Sequence, residues 1–296
     1  MWIGVAAAAA AAAAGAALWM AAEARRVRIV KEEVELDRLP HSFDGLRIFF
    51  VTDLHRRELP ADFPERVKAL GGADIVILGG DIREKDVPPV RTRANIRRLA
   101  AIAPVYAVYG NHDYYSGIRE LDVLLREEGV RVLVNESVQL EQRDGAVLRL
   151  AGVDDVKYGR PDFRRALTPD PELVAVGASA PASAAPCTIL VSHDPIVALR
   201  RAELRGVDLL LAGHTHGGQI ALPFVGPLYR GRSVQLFPRG WFPVVSDNRT
   251  TGDTGPRLFV SCGFGTSRVP LRLCAPAESH LFIVRAARRQ QPASRS

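Results

Sequence analysis

Short apolar runs that break off at glycine or a polar side chain set the rhythm of this chain. Arg47-Ile-Phe-Phe-Val-Thr-Asp53 is followed by His55, and Asp74-Ile-Val-Ile-Leu-Gly-Gly-Asp81 ends on a carboxylate. Val105-Tyr-Ala-Val-Tyr-Gly runs into Asn111, His112 and Asp113. Cys187-Thr-Ile-Leu-Val-Ser leads to His193, and Asp208-Leu-Leu-Leu-Ala-Gly leads to His214 and His216. Apolar runs of this length, bounded by turn residues, read as buried strands. Stretches with helical spacing lie between the earlier ones. Phe63, Val67 and Leu70 accompany a segment over 64–71. Val90, Ile96 and Leu99 mark an amphipathic helix over 89–103, and Ile118, Leu121, Leu124 and Leu125 another over 118–128. Strand–helix–strand alternation predicts parallel pairing. Rough alternation over 27–39 predicts an opening strand ahead of them.

After Gly129 the texture changes. Val132-Leu-Val, Val138-Gln-Leu, Val147-Leu-Arg-Leu-Ala, Leu258-Phe-Val and Leu281-Phe-Ile-Val have no long helices between them. They predict a second sheet, packed face to face with the first in one domain. Residues 177–186, rich in Ala, Ser and Pro, read as a loop. The basic and apolar stretch from Leu222 to Trp241 is expected either to form a flap facing an acyl chain or membrane, or to pack into the core.

The first residues follow a different pattern. Trp2 to Ala22 carries no charge and is about long enough to cross a bilayer. Tryptophans near both ends suit its interfaces, and Arg25, Arg26, Arg28 and Lys31 follow directly. The positive-inside rule then predicts a single span in the inner membrane with the following domain in the cytoplasm. A cleaved signal ending near Ala24 and a soluble alanine-rich helix are the alternatives. The expected division is an anchor over 1–24, a catalytic domain over 25–285 and a basic tail over 286–296. A net charge of +6 suits an anionic substrate or membrane surface. No basic and aromatic track marks a nucleic-acid strand, so none is expected as partner. Three scattered cysteines form no metal pattern and no disulfide scaffold, and Cys187 reads as a small buried hydrophobe.

The chemistry lies at the strand ends. In open α/β sheets that edge is where ligands bind. Asp53, His55, Asp81, Asn111, His193, His214 and His216 gather there, and five of the chain's seven histidines lie in these motifs. A set of carboxylate, amide and imidazole without thiolate suits Mn, Fe, Zn, Co or Ni. Seven donors exceed one tetrahedral ion but fit two divalent ions if a carboxylate bridges, and Asp81 is the expected bridge.

The series Asp53-x-His55, Gly80-Asp81, Gly110-Asn-His-Asp113, His193 and Gly213-His-Thr-His216 resembles the calcineurin-like metallophosphoesterases, over about residues 47–285. The resemblance implies a four-layer α/β/β/α sandwich with a dinuclear site that most often holds Mn. It implies one metal on Asp53, His55, Asp81 and His216, and the other on Asp81, Asn111, His193 and His214. His112 would then bind the phosphoryl oxygen and protonate the leaving group, with Asp113 either orienting it or serving as a turn residue. Arg56 and Arg57 would either hold substrate phosphate or be exposed loop charges. Asn111-His-Asp-Tyr-Tyr115, Gly217-Gly-Gln219 and the stretch Gly263 to Cys274 resemble the bacterial membrane-associated branch. That branch includes UDP-2,3-diacylglucosamine hydrolases with an N-terminal membrane segment. A lipid-linked, phosphorylated substrate met at the membrane is therefore expected, with a general phosphodiesterase or a silent binding scaffold as alternatives.

Overall fold

A computed structural model describes residues 2–168, 185–244 and 255–287. Most of the loop expected at 177–186 and of the tail expected at 286–296 lies outside them. The apolar N-terminal run is one helix, α1 (Trp2–Arg25), long and apolar enough to cross a membrane and exposed along nearly its whole length. Its last turn meets the rest of the protein. Ala24 is buried, and the Met20 carbonyl accepts a hydrogen bond from Arg272 N.

The remaining chain folds as two six-stranded sheets laid face to face. The first contains β1 (Ile29–Leu36), β2 (Leu46–Val51), β3 (Ile75–Leu78), β4 (Val105–Ala107), β5 (Arg131–Val132) and β14 (Ser279–Ala286), in the order β1-β14-β2-β3-β4-β5. The second contains β6 (Glu136–Glu141), β7 (Val147–Gly152), β8 (Cys187–Val191), β9 (Leu209–Ala212), β12 (Gly240–Pro243) and β13 (Arg257–Val260), in the order β12-β13-β9-β8-β7-β6. Strands β2 through β5 are parallel, as the alternation predicts. β14 inserts antiparallel to β2 and parallel to β1. A small hairpin, β10 (Ala221–Leu222) with β11 (Gly226–Pro227), stands apart from both sheets.

Two strands differ from expectation. The sequence pattern places Val132 and the Leu281 run in the second sheet, but both pair in the first. An apolar run states that a strand is buried, not which neighbour hydrogen-bonds to it. That choice is made by tertiary pairing, with Ala107 for Val132 and with β2 for the Leu281 run.

The period of two in each strand sorts side chains between layers. Phe49 and Val51 face outward onto α2 (Phe63–Ala69), α3 (Pro89–Ala100) and α5 (Ile118–Glu127), while Ile48 and Phe50 face the second sheet. Leu209 and Leu211 meet them from the other side. Cys187 lies in this inner layer as a buried hydrophobe. Leu210 and Ala212 face the opposite way, under α6 (Phe163–Leu167) and a 3-10 turn at Pro195–Leu199. The layers are thus α/β/β/α, with the second helical layer reduced to short pieces. On the first helical layer, Arg93 and Arg97 of α3 reach Glu128 just beyond α5, joining the two helices.

A buried ion cluster ties β1, β12 and β14 together. His280 Nδ1 lies 3.3 Å from Glu32 Oε1, and its Nε2 lies 3.5 Å from Glu278 Oε1. Trp241 Nε1 donates to Glu32 at 2.8 Å. Burial lowers the His280 pKa, but the two carboxylates outweigh it and the net shift is upward from 6.5. Glu278 is shifted downward from 4.5 despite its own burial. A raised histidine contributes stability in full below 6.5 and loses it as pH rises through the folded value. A lowered carboxylate contributes in full above 4.5 and loses it as pH falls. The melting-temperature gap between the protein and His280→Gln is therefore widest between pH 4.5 and 6.5 and narrows as pH climbs. A gap that widens with pH contradicts the ion pairing.

Candidate metal centre

The ends of β2, β3, β4, β8 and β9 converge, so the two sheets deliver their polar residues to one spot. The backbone there is strained. Among the described residues ten non-glycines have positive φ, and five of them are Asp53, His55, Asp81, His214 and His216. Left-handed backbone at a non-glycine costs energy and persists where the surroundings over-determine it, often at functional sites. Glycines make the close approach possible. A Cβ on Gly110 would overlap Asp81 Oδ1 and N, and one on Gly213 would overlap Thr52 Oγ1 and Asp53 Oδ2.

Each carboxylate spends one oxygen on local structure and turns the other to the imidazoles. Asp53 Oδ2 accepts from Thr52 Oγ1 (2.8 Å) and His214 N (3.1 Å). Its Oδ1 has no hydrogen-bond partner and lies 3.2 Å from His216 Nε2 and 3.7 Å from His55 Nε2. Asp81 Oδ1 accepts from His112 N at 2.8 Å. Its Oδ2 lies between the two imidazole groups, 3.6 Å from His55 Nε2 and 3.2 Å from His193 Nε2.

The histidines are aimed by their second nitrogens. His193 Nδ1 lies 2.8 Å from the Gly79 carbonyl, which only an N–H satisfies, so Nε2 keeps its lone pair for the centre. His55 Nδ1 lies 3.0 Å from Glu84 Oε1, with the same consequence. His214 points Nδ1 inward, 3.3 Å from His193 Nε2, and Nε2 toward Asp194. His55 Nε2 and His216 Nε2 stand 2.9 Å apart. Two such nitrogens need a proton or a cation between them.

The titration pattern follows from this crowding. Burial disfavours the charged form of His55, yet Asp53, Glu84 and Asp81 raise its pKa to about 9. Burial, with no compensating excess of carboxylate, pushes His216 down to about 4. His216, His55 and His193 hold Asp53 well below the usual carboxylate range in spite of its burial.

The donors fit two cations. Asp53, His55 and His216 form one set with ligand atoms within 4.8 Å of one another, and Asp81, His193 and His214 form another. Asn111 Oδ1 is buried without a partner at the same place. Orphaned buried oxygens and facing imidazole lone pairs are what a bound divalent metal would satisfy. All seven expected ligands are thus brought together.

Three other expected residues stand outside this ligand set. Asp113 does not touch the His112 ring. Its Oδ2 accepts from Gly110 N (2.8 Å) and its Oδ1 from Ile82 N (2.8 Å), capping the short helix α4 (Asn111–Tyr115) and clamping two ligand loops. Burial, with the nearby Asp81 charge, raises its pKa to about 7. Arg57 faces away from the centre. Its guanidinium donates to the carbonyls of Phe264, Arg25 and Arg26 and stacks 3.9 Å over the Phe264 ring, holding the end of α1. Arg56 stands beside the site but is paired with Asp86 (2.9 Å) and lies 3.5 Å from Glu84.

The residue that sequence reasoning missed is Glu84. Its Oε1 lies 3.0 Å from His112 Nδ1 as well as 3.0 Å from His55 Nδ1. Although burial raises it, His112 and His55 bring its pKa down to about 2. The available signal was its place three residues after Asp81, still in the loop leaving β3. A cavity of about 680 Å³ opens over the centre, lined by Asp81, Asn111, His112, His214 and His216 at its floor. Lys157 and Arg268 in its wall supply positive charge.

Comparison with known proteins agrees with this geometry. The calcineurin-like phosphoesterase family matches residues 46–218, more than half of the chain. YpbG of Bacillus subtilis (strain 168) is 32% identical over 240 residues, covering 81% of each chain. YkuE of the same organism, named as a metallophosphoesterase, is 28% identical over 271 residues, 89% of this chain and 87% of that one. A Bos taurus transmembrane protein with a metallophosphoesterase domain is 31% identical over 269 residues, 86% of this chain and 56% of that one. Fold, donor set and sequence therefore agree: this chain belongs to the calcineurin-like phosphoesterase family of metal-dependent phosphoester hydrolases.

Proposed function

We propose that the protein is a membrane-anchored, dinuclear phosphoesterase that cleaves a phosphodiester or pyrophosphate bond in a lipid-linked substrate. The observation that carries this reading is Asp81 Oδ2, set between the two imidazole groups at the floor of a charged cavity. Asp53, His55, Asp81 and His216 would hold one divalent ion, and Asp81, Asn111, His193 and His214 the other, with Mn as the expected metal. Bound there, the pair would activate water and polarise a phosphoryl oxygen.

The side chains supply the rest. Glu84 Oε1, 3.0 Å from His112 Nδ1, steadies the ring over the cavity by its charge, which leaves Nε2 to donate to the departing oxygen. Lys157 and Arg268 attract the anionic group to the wall. His112→Ala is expected to cost on the order of 10²–10⁴-fold in kcat on an alkyl leaving group, and far less on p-nitrophenolate, which departs without a proton. Glu84→Gln should follow the same pattern at smaller size. Equal losses on both leaving groups would exclude His112 as the acid.

The leading substrate is UDP-2,3-diacylglucosamine, cleaved to lipid X and UMP in lipid A synthesis. Support comes from α1, the cationic wall and the motif resemblance at Asn111–Tyr115 and Gly263–Cys274. The test offers Mn-loaded, detergent-solubilised protein this substrate beside bis-p-nitrophenyl phosphate. Preference for the lipid nucleotide, with those two products, supports the assignment. Turnover of the diester alone rejects it and leaves a general phosphodiesterase.

A further inference from the structure

One wall of the cavity continues outward into an exposed apolar surface. Leu228, Tyr229 and Val269 line the cavity and are also exposed, at 58%, 61% and 44%. Next to them the β10–β11 hairpin presents Leu222, Phe224 and Val225 at its tip, with Phe224 fully exposed in left-handed backbone. A bulky aromatic in that conformation, without protein contact, gains nothing from the fold itself.

The same surface is cationic. Neither 217–244 nor 263–277 contains Asp or Glu, whereas Arg230, Arg232, Arg239 and Arg268 are exposed in them. The Arg268 guanidinium lies 5.5 Å over the Tyr229 ring.

The position of this surface relative to α1 is fixed by hydrogen bonds. Arg272 N donates to the Met20 carbonyl, Leu273 N to Gln219 and Ala221 N to Leu273. The hairpin base is thus about two strand spacings from Met20, roughly 10 Å. Met20 sits where the apolar run of α1 ends, beside Trp19 and shortly before Arg25 and Arg26. If α1 spans a bilayer, that residue marks the interface.

We propose that the hairpin and the Val269 segment form a second membrane contact, seated in the headgroup region of an anionic bilayer. Phe224 enters the acyl boundary, and the arginines pair with lipid phosphates. The cavity mouth then opens onto the bilayer, so the substrate is an amphiphile taken from the membrane. Its apolar part stays along Leu228 and Val269 while its phosphate reaches the metal centre. This rests on α1 as an anchor and goes beyond it, because an anchor alone does not require the cavity mouth to meet the bilayer.

The test is site-directed spin labelling of the full chain in nanodiscs containing phosphatidylglycerol, in a Cys274→Ser background, since Cys187 and Cys262 are buried. Labels are placed by Phe224→Cys, by Ala10→Cys in α1 and by Asp144→Cys in the exposed β6–β7 turn. The expected result is oxygen accessibility well above nickel-chelate accessibility at 10 and at 224, and the reverse at 144. Label 224 should move toward the solvent value in nanodiscs of neutral lipid alone. A solvent-like label at 224 with a lipid-buried label at 10 overturns the second contact and leaves the anchor standing. Solvent-like labels at both positions overturn both. Dipolar broadening at 224 between copies, unchanged in detergent, would make the patch a self-association surface and also overturn the proposal.

Discussion

Asp81→Asn is expected to lower kcat/KM by on the order of 10³-fold or more, about 4 kcal/mol of transition-state stabilisation. The side chain keeps its shape, and Asn is among the residues that best tolerate the left-handed backbone found at Asp81. The His112 N–H still finds an acceptor at its carbonyl oxygen. What disappears is the charge on Oδ2, which lies within 4 Å of both His55 Nε2 and His193 Nε2. The variant should melt near the parent in metal-free buffer yet fail to retain two ions through dialysis, as counted by elemental analysis. An Asp81→Asn protein that keeps both metals and its activity would remove Asp81 as the bridge.

Arg272→Leu is expected to have the largest effect on stability. Arg272 is a completely buried side chain. Its guanidinium donates to the carbonyls of Gly265 (2.6 Å), Cys262 (2.7 Å) and Ala275 (2.9 Å). Leucine fills much of the volume but leaves those carbonyls without donors in a dry interior. The expected cost is roughly 3–5 kcal/mol. In a domain of this size that lowers Tm by roughly 6–20 °C. The loss should reach the metal centre, since Arg272 Nη2 lies 3.2 Å from the His216 ring. It should also loosen the end of α1, held by Arg272 N. Arg272→Lys retains the charge without the planar fork and should fall between the two. An unchanged Tm in Arg272→Leu would mean the loop from Gly263 to Ala277 is held by other contacts.

The seven residues that converge at the strand ends were legible because each follows a run whose pattern needs no partner to interpret. Leu209 to Ala212 can only be a buried segment, and His214 and His216 leave its end. Glu84 and Arg272 were not legible for a shared reason. Both lie in loops, where no periodicity tells a buried charge from a solvated one. Arg57 shows the same blindness from the other side. In sequence it resembles a phosphate ligand, whereas in space it holds the carbonyls at the end of α1. For Asp113 the sequence leaves two roles open, orienting His112 or shaping the turn, and the hydrogen bonds favour the turn. The residue follows His112 in the chain, but the turn of α4 points its carboxylate back to Gly110 N. The four layers were readable from the resemblance. The sheet membership of Val132 and Leu281 was not, because an apolar run does not name its partner: Val132 pairs with Ala107, and β14 pairs with β2 more than two hundred residues away.

Asp81 is proposed to join two divalent ions at the floor of the cavity. The most direct measurement is the anomalous difference density of crystals grown with Mn. The Asp81 bridge predicts two peaks, one among Asp53, His55 and His216 and the other among Asn111, His193 and His214, with Asp81 between them. A single peak, or two peaks that do not share Asp81, would contradict it.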